Sequence, residues 1–347
     1  MSNLSIHPIK RNKKMKKILF LEENFSMQGT TRALIDYAYY NEKYLNNISY
    51  LAFGKKQDNE PWNTSYYKNI LDNTFESLKL KFNLLYYKDY NELENHIIKE
   101  QFDGMYHIKS GEPIGFHSKN TKNLVHAVFP QPIQNIHGEK YAYVSKWLSD
   151  NYGYSKIPHV PHMINVPKID INSSKIRIRQ KYNIPNDAFV FGRIGGYNDF
   201  NLPFVYDAIN NALNTRKNLY FIFICTKPFI SHKRVLFIDP IYDIKEKYAH
   251  ISACDAMIHA RHHGETFGLA IAEFCSMNKP IVTWKFGAGQ GYIDILKNDA
   301  IYYRNQNELF DILNNFEVEK DKNYNSYEEF SPKNVMSKFE TVFLDNL

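Results

Sequence analysis

The stretch that decides the fold runs from Asp255 to Trp284 and reads DAMIHARHHGETFGLAIAEFCSMNKPIVTW. An apolar strand at 255–259 leads into a glycine-bearing turn, an amphipathic helix at 267–277 and a second apolar strand at 280–284. A strand, a covering helix and another strand of the same kind make the repeating unit of a parallel sheet. This stretch therefore predicts an α/β fold.

The same alternation continues in both directions along the chain. Towards the N-terminus of the stretch, the pattern predicts strands at 188–194, 219–225 and 234–238 and helices at 201–214 and 243–252. In the first half it predicts helices at 30–42 and 90–100 and strands at 17–22, 49–54, 82–86, 103–108, 122–128 and 140–144. Because 347 residues exceed what one hydrophobic core usually serves, we expect two Rossmann-like domains with a crevice between them.

The domain boundary is predicted where both periodicities stop. The segments Pro158–His162 and Asn165–Pro167 break the pattern and indicate a linker within 158–181. We therefore predict an N-terminal Rossmann-like domain at 1–165 and a C-terminal Rossmann-like domain at 166–330. Ser331-Pro332 is typical of a helix start, so 331–347 is predicted to be an amphipathic helix that crosses back to the N-terminal domain.

Composition narrows the class of protein. The net charge of +6 favours anionic ligands such as nucleotides, but it is too small to argue for nucleic acid. No apolar run approaches the ~20 residues of a membrane-spanning helix, and Ile18–Leu21 is too short for a signal peptide. The cysteines are odd in number and widely spaced, which is typical of buried thiols in a reducing compartment: Cys225, Cys254 and Cys275. A cytoplasmic location is the expectation.

A basic run at Lys10–Lys17 precedes the first strand. It is either a solvated lead-in or a weak electrostatic contact to an acidic membrane surface. The sequence leaves both interpretations open.

The chemistry of the deciding stretch lies at its glycine-bearing turn. A helix that begins near Phe267 offers free backbone N–H groups and the positive end of its dipole to an anion. Gly268 allows a phosphate to approach closely. Glu265 precedes this helix end and Glu273 lies inside the helix, so two carboxylates are available for ligand hydroxyls. Together these residues, with Leu269 at the same helix end, are typical of a nucleotide-sugar site.

The spacing of these glutamates resembles the Glu-x7-Glu signature of family four of the retaining glycosyltransferases, which have the two-domain fold called GT-B. The stretches Phe267-Gly268-Leu269 and Lys279–Val282 fit the same pattern. The resemblance implies a nucleotide-diphosphate sugar as donor and no other cofactor.

Further landmarks of that family follow in order along the chain. Gly29 opens the first helix and resembles the glycine loop that faces the donor phosphates, although an ordinary tight turn is the alternative. The segments 144–148 (VSKWL) and 160–164 (VPHMI) resemble two further steps of the family pattern. Arg193 resembles the arginine that binds the diphosphate, but the lysine that often follows is missing and Asp199 stands near its place. Lys227, after the next strand, is the predicted substitute.

Histidines at two places in the sequence are candidates for a functional role. His126 ends a first-domain strand where the family has a histidine that meets the donor sugar, and a satisfied core histidine is the alternative. His126 and Glu265 are therefore the candidate catalytic residues. His259, His262 and His263 are not predicted to bind a metal, because they cross a strand end and a loop and the chain has no Asp-x-Asp motif.

The resemblance thus implies a retaining, metal-independent hexosyltransferase that uses a UDP-sugar, with a GDP-sugar as the next choice. It also implies an acceptor-binding first domain at 1–165 and a nucleotide-sugar-binding second domain at 166–330. The expected acceptor is a glycan, a lipid or another molecule that contacts first-domain loops including 112–120. A GT-B nucleotide-sugar hydrolase or epimerase is the enzymatic alternative. A binding protein with a decayed site is the other, since fold alone does not establish activity.

Overall fold

The computed structural model describes residues 14–23, 29–54 and 77–347. Residues 10–13 of the basic run and Gln28 lie outside the described residues, so the interpretation of Lys10–Lys17 remains a prediction. No helix within the described ranges is long and apolar enough to cross a membrane.

The first domain is built on six parallel strands. Along the chain its elements are β1 (Lys17–Glu22), α1 (Gly29–Leu45), β2 (Ile48–Gly54), β3 (Asn83–Tyr87), α2 (Tyr90–Glu100), β4 (Gly104–Lys109), β5 (Lys122–Ala127), β6 (Lys140–Tyr143) and α3 (Lys146–Tyr152). The spatial order is β3-β2-β1-β4-β5-β6. Every predicted strand of this half is present to within one residue at either end.

The second domain repeats the plan. Its elements are α4 (Ile171–Lys181), β7 (Phe189–Ile194), α5 (Pro203–Thr215), β8 (Leu219–Ile224), β9 (Val235–Ile238), α6 (Ile244–Ala253), β10 (Ala256–His259), β11 (Gly264–Glu265), α7 (Leu269–Ser276), β12 (Ile281–Trp284), β13 (Gly289–Gln290), α8 (Gly291–Leu296), β14 (Ile301–Tyr303) and α9 (Gln306–Asn315). The main sheet has the order β14-β12-β10-β7-β8-β9, and all its strands are parallel.

Both sheets therefore have the strand order characteristic of dinucleotide-binding domains. The order reverses between β1 and β4 in the first sheet and between β7 and β10 in the second. Ligands of such sheets bind beyond the carboxyl ends of the strands at this reversal. The predicted pair of Rossmann-like sheets is confirmed.

One helix lies inside the predicted linker. The Asp170 side chain accepts a hydrogen bond from the Ser173 N–H at 3.1 Å and so caps α4. Ile171 and Ile176 are exposed, so α4 lacks the apolar stripe by which sequence analysis finds helices. Its inner face is held by the buried Ile178 and by the buried Arg179, which pairs with Asp255 at 2.8 Å.

The last segment packs on the first domain. A helix, α10 (Pro332–Phe339), is capped by the Ser331 side chain and continues as a wider turn to Leu344. The Phe339 ring stacks on Tyr37 of α1, with centroids 5.1 Å apart. Phe343 meets Tyr106 of β4 edge-on at 5.4 Å. The chain thus crosses the junction a second time, after the linker.

Candidate functional site

The two sheets face each other across a cleft, and residues 264–268 of the second domain contact the first domain. The Thr266 hydroxyl donates a hydrogen bond of 2.8 Å to the carbonyl oxygen of Val128, which follows β5 of the first domain. A Cβ placed on Gly29, at the start of α1, would lie 3.1 Å from Leu269 Cδ1. The first turns of α1 and α7 are therefore in close contact across the cleft.

Gly268 sets the start of α7. Its φ of 85° lies in the left-handed region that a side chain disfavours, and the residue occupies the N-cap position. This turn makes the helix begin at Leu269, two residues later than predicted. The backbone N–H groups of the first turn of α7, which starts after Gly268, have no carbonyl partner within the helix itself.

Phe267 has a different place from the one its motif implied. Its side chain is 2% exposed and packs edge-on against His162 and Tyr327. Its carbonyl oxygen accepts a hydrogen bond of 2.6 Å from the Tyr327 hydroxyl. Phe267 therefore anchors the loop in the core, and only its backbone is near the cleft.

Glu265 is held by two basic side chains. Its Oε2 accepts a hydrogen bond of 2.8 Å from Arg261, and its Oε1 lies 3.6 Å from His259 Nε2. Burial by itself would raise the pKa of Glu265, but the contacts with His259 and Arg261 outweigh it and leave that pKa below the ordinary value. The carboxylate is thus ionised at neutral pH and oriented before any ligand arrives.

Glu273 belongs to a separate charged cluster. It forms an ion pair with Lys247 of α6. Burial raises the pKa of Asp36 of α1. The nearby charges of Arg32 and Lys247 lower that pKa, and the charge of Glu273 raises it. Glu273, whose side chain is 16% exposed, therefore lies among charged residues of α1 and α6 and is not part of the Arg261–Glu265 pair.

Arg193 is largely committed to its own domain. The guanidinium donates to the Cys225 carbonyl at 2.9 Å, to the Thr226 hydroxyl at 2.6 Å and to the Gly196 carbonyl at 2.8 Å. Burial lowers the pKa of Arg193 to about 10, and the side chain stays charged at neutral pH. Arg193 thereby ties the loops after β7 and β8 together.

Lys227 lies on the loop after β8 and is exposed. Its backbone N–H donates to the Tyr197 carbonyl at 2.9 Å, which joins this loop to the one after β7. The side chain lines an open cavity of about 380 Å³ together with polar and aromatic neighbours: Asn198, Phe200, Asn201, Tyr206, Pro228 and Phe229.

His126 lies in the core of the first domain. The side chain is fully buried, and its Nε2 donates to the Val160 carbonyl at 2.8 Å while its Nδ1 accepts from the Tyr106 hydroxyl at 2.6 Å. Burial lowers the pKa of His126 to about 3, so the ring is neutral. With both ring nitrogens engaged, this geometry favours the core-histidine alternative and leaves no group for a donor sugar.

Two clusters at the cleft were missed by the sequence analysis. In the second domain Arg261 lies between Glu265 and Asp199, whose Oδ1 is 3.5 Å from Arg261 Nε. The available signal was a basic residue two positions after strand β10. Its partner across the loop could not be read from the sequence.

The other missed cluster surrounds Glu23 at the reversal of the first sheet. Its carboxylate accepts hydrogen bonds from the Tyr90 hydroxyl at 2.6 Å and the Phe116 N–H at 3.0 Å. His107 Nε2 lies 3.2 Å away, and burial lowers the pKa of His107 to about 3, so a neutral ring contacts the carboxylate. Phe116 belongs to the loop 112–120 that was expected to contact the acceptor.

The histidines near the motif have separate environments. His259 Nδ1 lies 2.8 Å from the Thr283 hydroxyl, whereas His262 and His263 are exposed and meet edge-on. Within residues 14–23, 29–54 and 77–347, no group of three or more His, Cys, Asp or Glu side chains is arranged to hold a metal ion.

Solved structures share this architecture over almost the whole chain. The glycosyltransferase from Rickettsia africae ESF-5 matches with a TM-score of 0.66 at 15% identity, covering 96% of this chain and 100% of that one. HepE of Anabaena in complex with UDP-glucose gives 0.59 at 15% identity, covering 94% and 95%. A putative UDP-N-acetylglucosamine 2-epimerase from Listeria monocytogenes gives 0.53 at 10% identity, covering 94% and 95%.

No family model matches the sequence, and no curated protein matches it. At 10–15% identity the structural likeness concerns the fold. The predicted fold class, GT-B with two Rossmann-like domains facing each other across a cleft, is confirmed. Membership of family four stays a prediction.

Proposed function

We propose that this protein is a glycosyltransferase that moves a hexose from a nucleotide-diphosphate donor, with a UDP-sugar favoured over a GDP-sugar. The observation that carries the proposal is the loop 264–268, which brings together the start of α7, the oriented carboxylate of Glu265 and the Thr266–Val128 contact between the two domains. Backbone N–H groups suit phosphate oxygens, and a fixed carboxylate suits sugar hydroxyls. Among proteins of this fold, HepE is solved with UDP-glucose.

In the proposed reaction the bond between the sugar and the diphosphate breaks while the acceptor hydroxyl attacks the same face, so configuration is retained. The leaving diphosphate gathers negative charge, which the helix end and the cations Arg193 and Lys227 stabilise. The departing phosphate oxygen takes the proton of the acceptor hydroxyl. No side chain needs to act as nucleophile in this scheme.

The direct test is incubation with a panel of UDP-, GDP- and ADP-sugars, with and without glycan acceptors, while free nucleotide and sugar products are followed. A transferase releases nucleoside diphosphate only with an acceptor, and a hydrolase releases it without one. An epimerase, which the likeness to the Listeria protein keeps as the second candidate, changes the sugar without releasing nucleotide. Binding without any product would indicate a decayed site.

Glu273 is proposed to hold the ribose hydroxyls of the donor. We expect Glu273→Ala to weaken donor affinity by about 10- to 100-fold, because charge-assisted hydrogen bonds contribute about 1.5–3 kcal/mol each. Isothermal calorimetry with the nucleoside diphosphate measures this. Glu308→Ala removes an exposed carboxylate paired with Arg304 and is the matched control. Unchanged affinity in a folded Glu273→Ala protein would leave Glu273 only its pairing with Lys247.

Lys227 is proposed to replace the lysine absent after Arg193. Since its charge would act on a diphosphate that becomes more negative as the bond breaks, Lys227→Ala should lower turnover by about 10- to 100-fold and affect donor affinity less. Lys227→Arg should recover part of the rate because the charge remains. Steady-state kinetics with both variants checks this, and full activity of Lys227→Ala would contradict it.

The proposed chemistry uses cationic side chains and a helix end to stabilise the diphosphate, so activity should survive chelation. We expect turnover after exhaustive treatment with EDTA to equal that of the untreated protein. The measurement is initial rate before and after dialysis, with manganese or magnesium added back. Loss of activity that either ion restores would return attention to His262 and His263.

A further inference from the structure

Four charged side chains meet where the second sheet reverses its strand order. Arg193 is the penultimate residue of β7, Asp199 lies in the loop that follows, Arg261 is the second residue after β10, and Glu265 forms part of β11. Burial lowers the pKa of Arg193, the nearby charges of Asp199 and Glu265 raise it, and the charge of Arg261 lowers it. Two cations and two carboxylates make this cluster formally neutral.

The two arginines differ in how many of their N–H groups remain available to a ligand. Arg193 is 4% exposed and already donates three hydrogen bonds to its own loops. The Arg261 side chain is 25% exposed and donates one, from Nη1 to Glu265 Oε2 at 2.8 Å. Its Nε is buried, lies 3.5 Å from Asp199 Oδ1 and makes no hydrogen bond within the described residues. A guanidinium carries five N–H groups, so most of those of Arg261 are unused.

We propose that Arg261 binds the diphosphate of the donor and that Asp199 holds its place until the donor arrives. The inference rests on the proposed function. Arg261 follows β10, one of the two strands at the reversal, where ligands of such sheets bind, whereas Lys227 follows β8, which is one strand further out. A planar guanidinium also matches two phosphate oxygens at once.

Of the two contacts of Arg261, the one with Asp199 is broken when the donor binds. At 3.5 Å it is longer than the 2.8 Å hydrogen bond to Glu265, so the donor displaces Asp199 and leaves Glu265 oriented. Leaving a buried N–H of a cation without a partner is costly, and Asp199 supplies a second counter-charge beside the buried Nε of Arg261 in the free protein, in addition to Glu265. The phosphate oxygens take over this role, and Asp199 then competes with the donor for the same guanidinium.

This competition gives the two partners opposite effects on affinity. Removing Arg261 should weaken binding of the diphosphate, whereas removing the charge of Asp199 should strengthen it. A merely structural Arg261–Asp199 pair would make both variants weaker or leave both unchanged. The sign of the Asp199 effect therefore separates a ligand-binding role from a structural one.

The test is calorimetry of UDP, GDP and the nucleosides uridine and guanosine with the full chain. Expected results are a 10- to 100-fold weaker diphosphate affinity in Arg261→Ala, partial recovery in Arg261→Lys and several-fold tighter binding in Asp199→Asn. Affinity for the nucleosides should not change in any variant. Arg304→Ala, at an exposed pair on α9, is the control that should match the wild type.

The outcomes separate the two proposals. A wild-type protein that binds no nucleoside diphosphate overturns the proposed function and this inference with it. A wild-type protein that binds UDP or GDP while Arg261→Ala binds it equally well overturns only the role of Arg261. Weaker binding in Asp199→Asn also overturns the inference, and this variant keeps the test valid if Arg261→Ala does not fold.

Discussion

Replacing Glu265 by glutamine is expected to lower kcat/KM for the sugar donor by about 100-fold or more. The change keeps the shape of the side chain and removes its charge, so the hydrogen bonds to donor hydroxyls become neutral ones. Each charge-assisted hydrogen bond contributes about 1.5–3 kcal/mol, and a carboxylate with two oxygens can make two. The loss of the charge also leaves Arg261 without the partner that it holds at 2.8 Å.

The pH dependence offers an independent check of the same side chain. The contacts with His259 and Arg261 hold the pKa of Glu265 below the ordinary glutamate value of 4.5. A carboxylate with a lowered folded-state pKa stabilises the fold above its unfolded pKa, and that contribution disappears as the pH falls through the folded value. Because the carboxylate that is proposed to bind the donor stays ionised above its pKa, activity should show no loss from this group between about pH 5 and 8. An acid limb is expected only below about pH 4.5.

Initial rates at several donor concentrations measure both effects, with Glu308→Gln on the exposed side of α9 as the control. A rate for Glu265→Gln within a few-fold of the wild type would contradict the assignment of Glu265 to the donor. If the wild type catalyses no turnover and Glu265→Gln only binds the donor more weakly, the result would instead indicate the decayed binding protein.

Much of the architecture could be predicted because parallel strands are buried on both faces. Such strands appear in the sequence as short apolar runs, and the predicted boundaries agree with the structure to within one residue. Helix α4 could not be predicted in the same way, since a single buried isoleucine, Ile178, and the buried Arg179 hold it to the domain instead of an apolar stripe. The period of apolar residues carries no information about such an anchor.

The candidate site was predictable only in part for a related reason. The glycine turn and the two glutamates are local in sequence, so their spacing already placed them around one helix end. Whether a side chain faces the cleft or the core depends on the packing of distant segments. The Val160 carbonyl and the Tyr106 hydroxyl occupy both nitrogens of His126, and Tyr327 helps to bury Phe267. Neither contact is encoded near the motif.

The loop that carries Glu265 also depends on backbone contacts that only glycine permits. Gly264 has a φ of 63° and pairs with Gly289 between strands β11 and β13. A Cβ on Gly264 would overlap the Gly289 carbonyl oxygen and lie 3.1 Å from the Gly287 Cα. Both neighbours of this Cβ are backbone atoms, so no side-chain rotation can relieve the overlap.

We therefore expect Gly264→Ala to lower the free energy of unfolding by about 3 kcal/mol or more. The left-handed backbone costs a residue with a side chain about 1–2 kcal/mol, and steric overlap in a packed region costs about 1–3 kcal/mol more. Gly264→Val should be worse, because a β-branched residue is still less tolerant of positive φ. Chemical denaturation followed by fluorescence measures the change.

Gly54→Ala is the matched control for this prediction. Gly54 ends strand β2 without a positive φ, and a Cβ there would meet its nearest neighbour, the Tyr87 ring, at an ordinary 3.5 Å. Its effect should stay within about 1 kcal/mol. Since Glu265 is the next residue, any folded Gly264→Ala protein should also bind the nucleoside diphosphate more weakly. Wild-type stability and affinity in Gly264→Ala would mean that the loop does not hold Glu265 through this glycine contact.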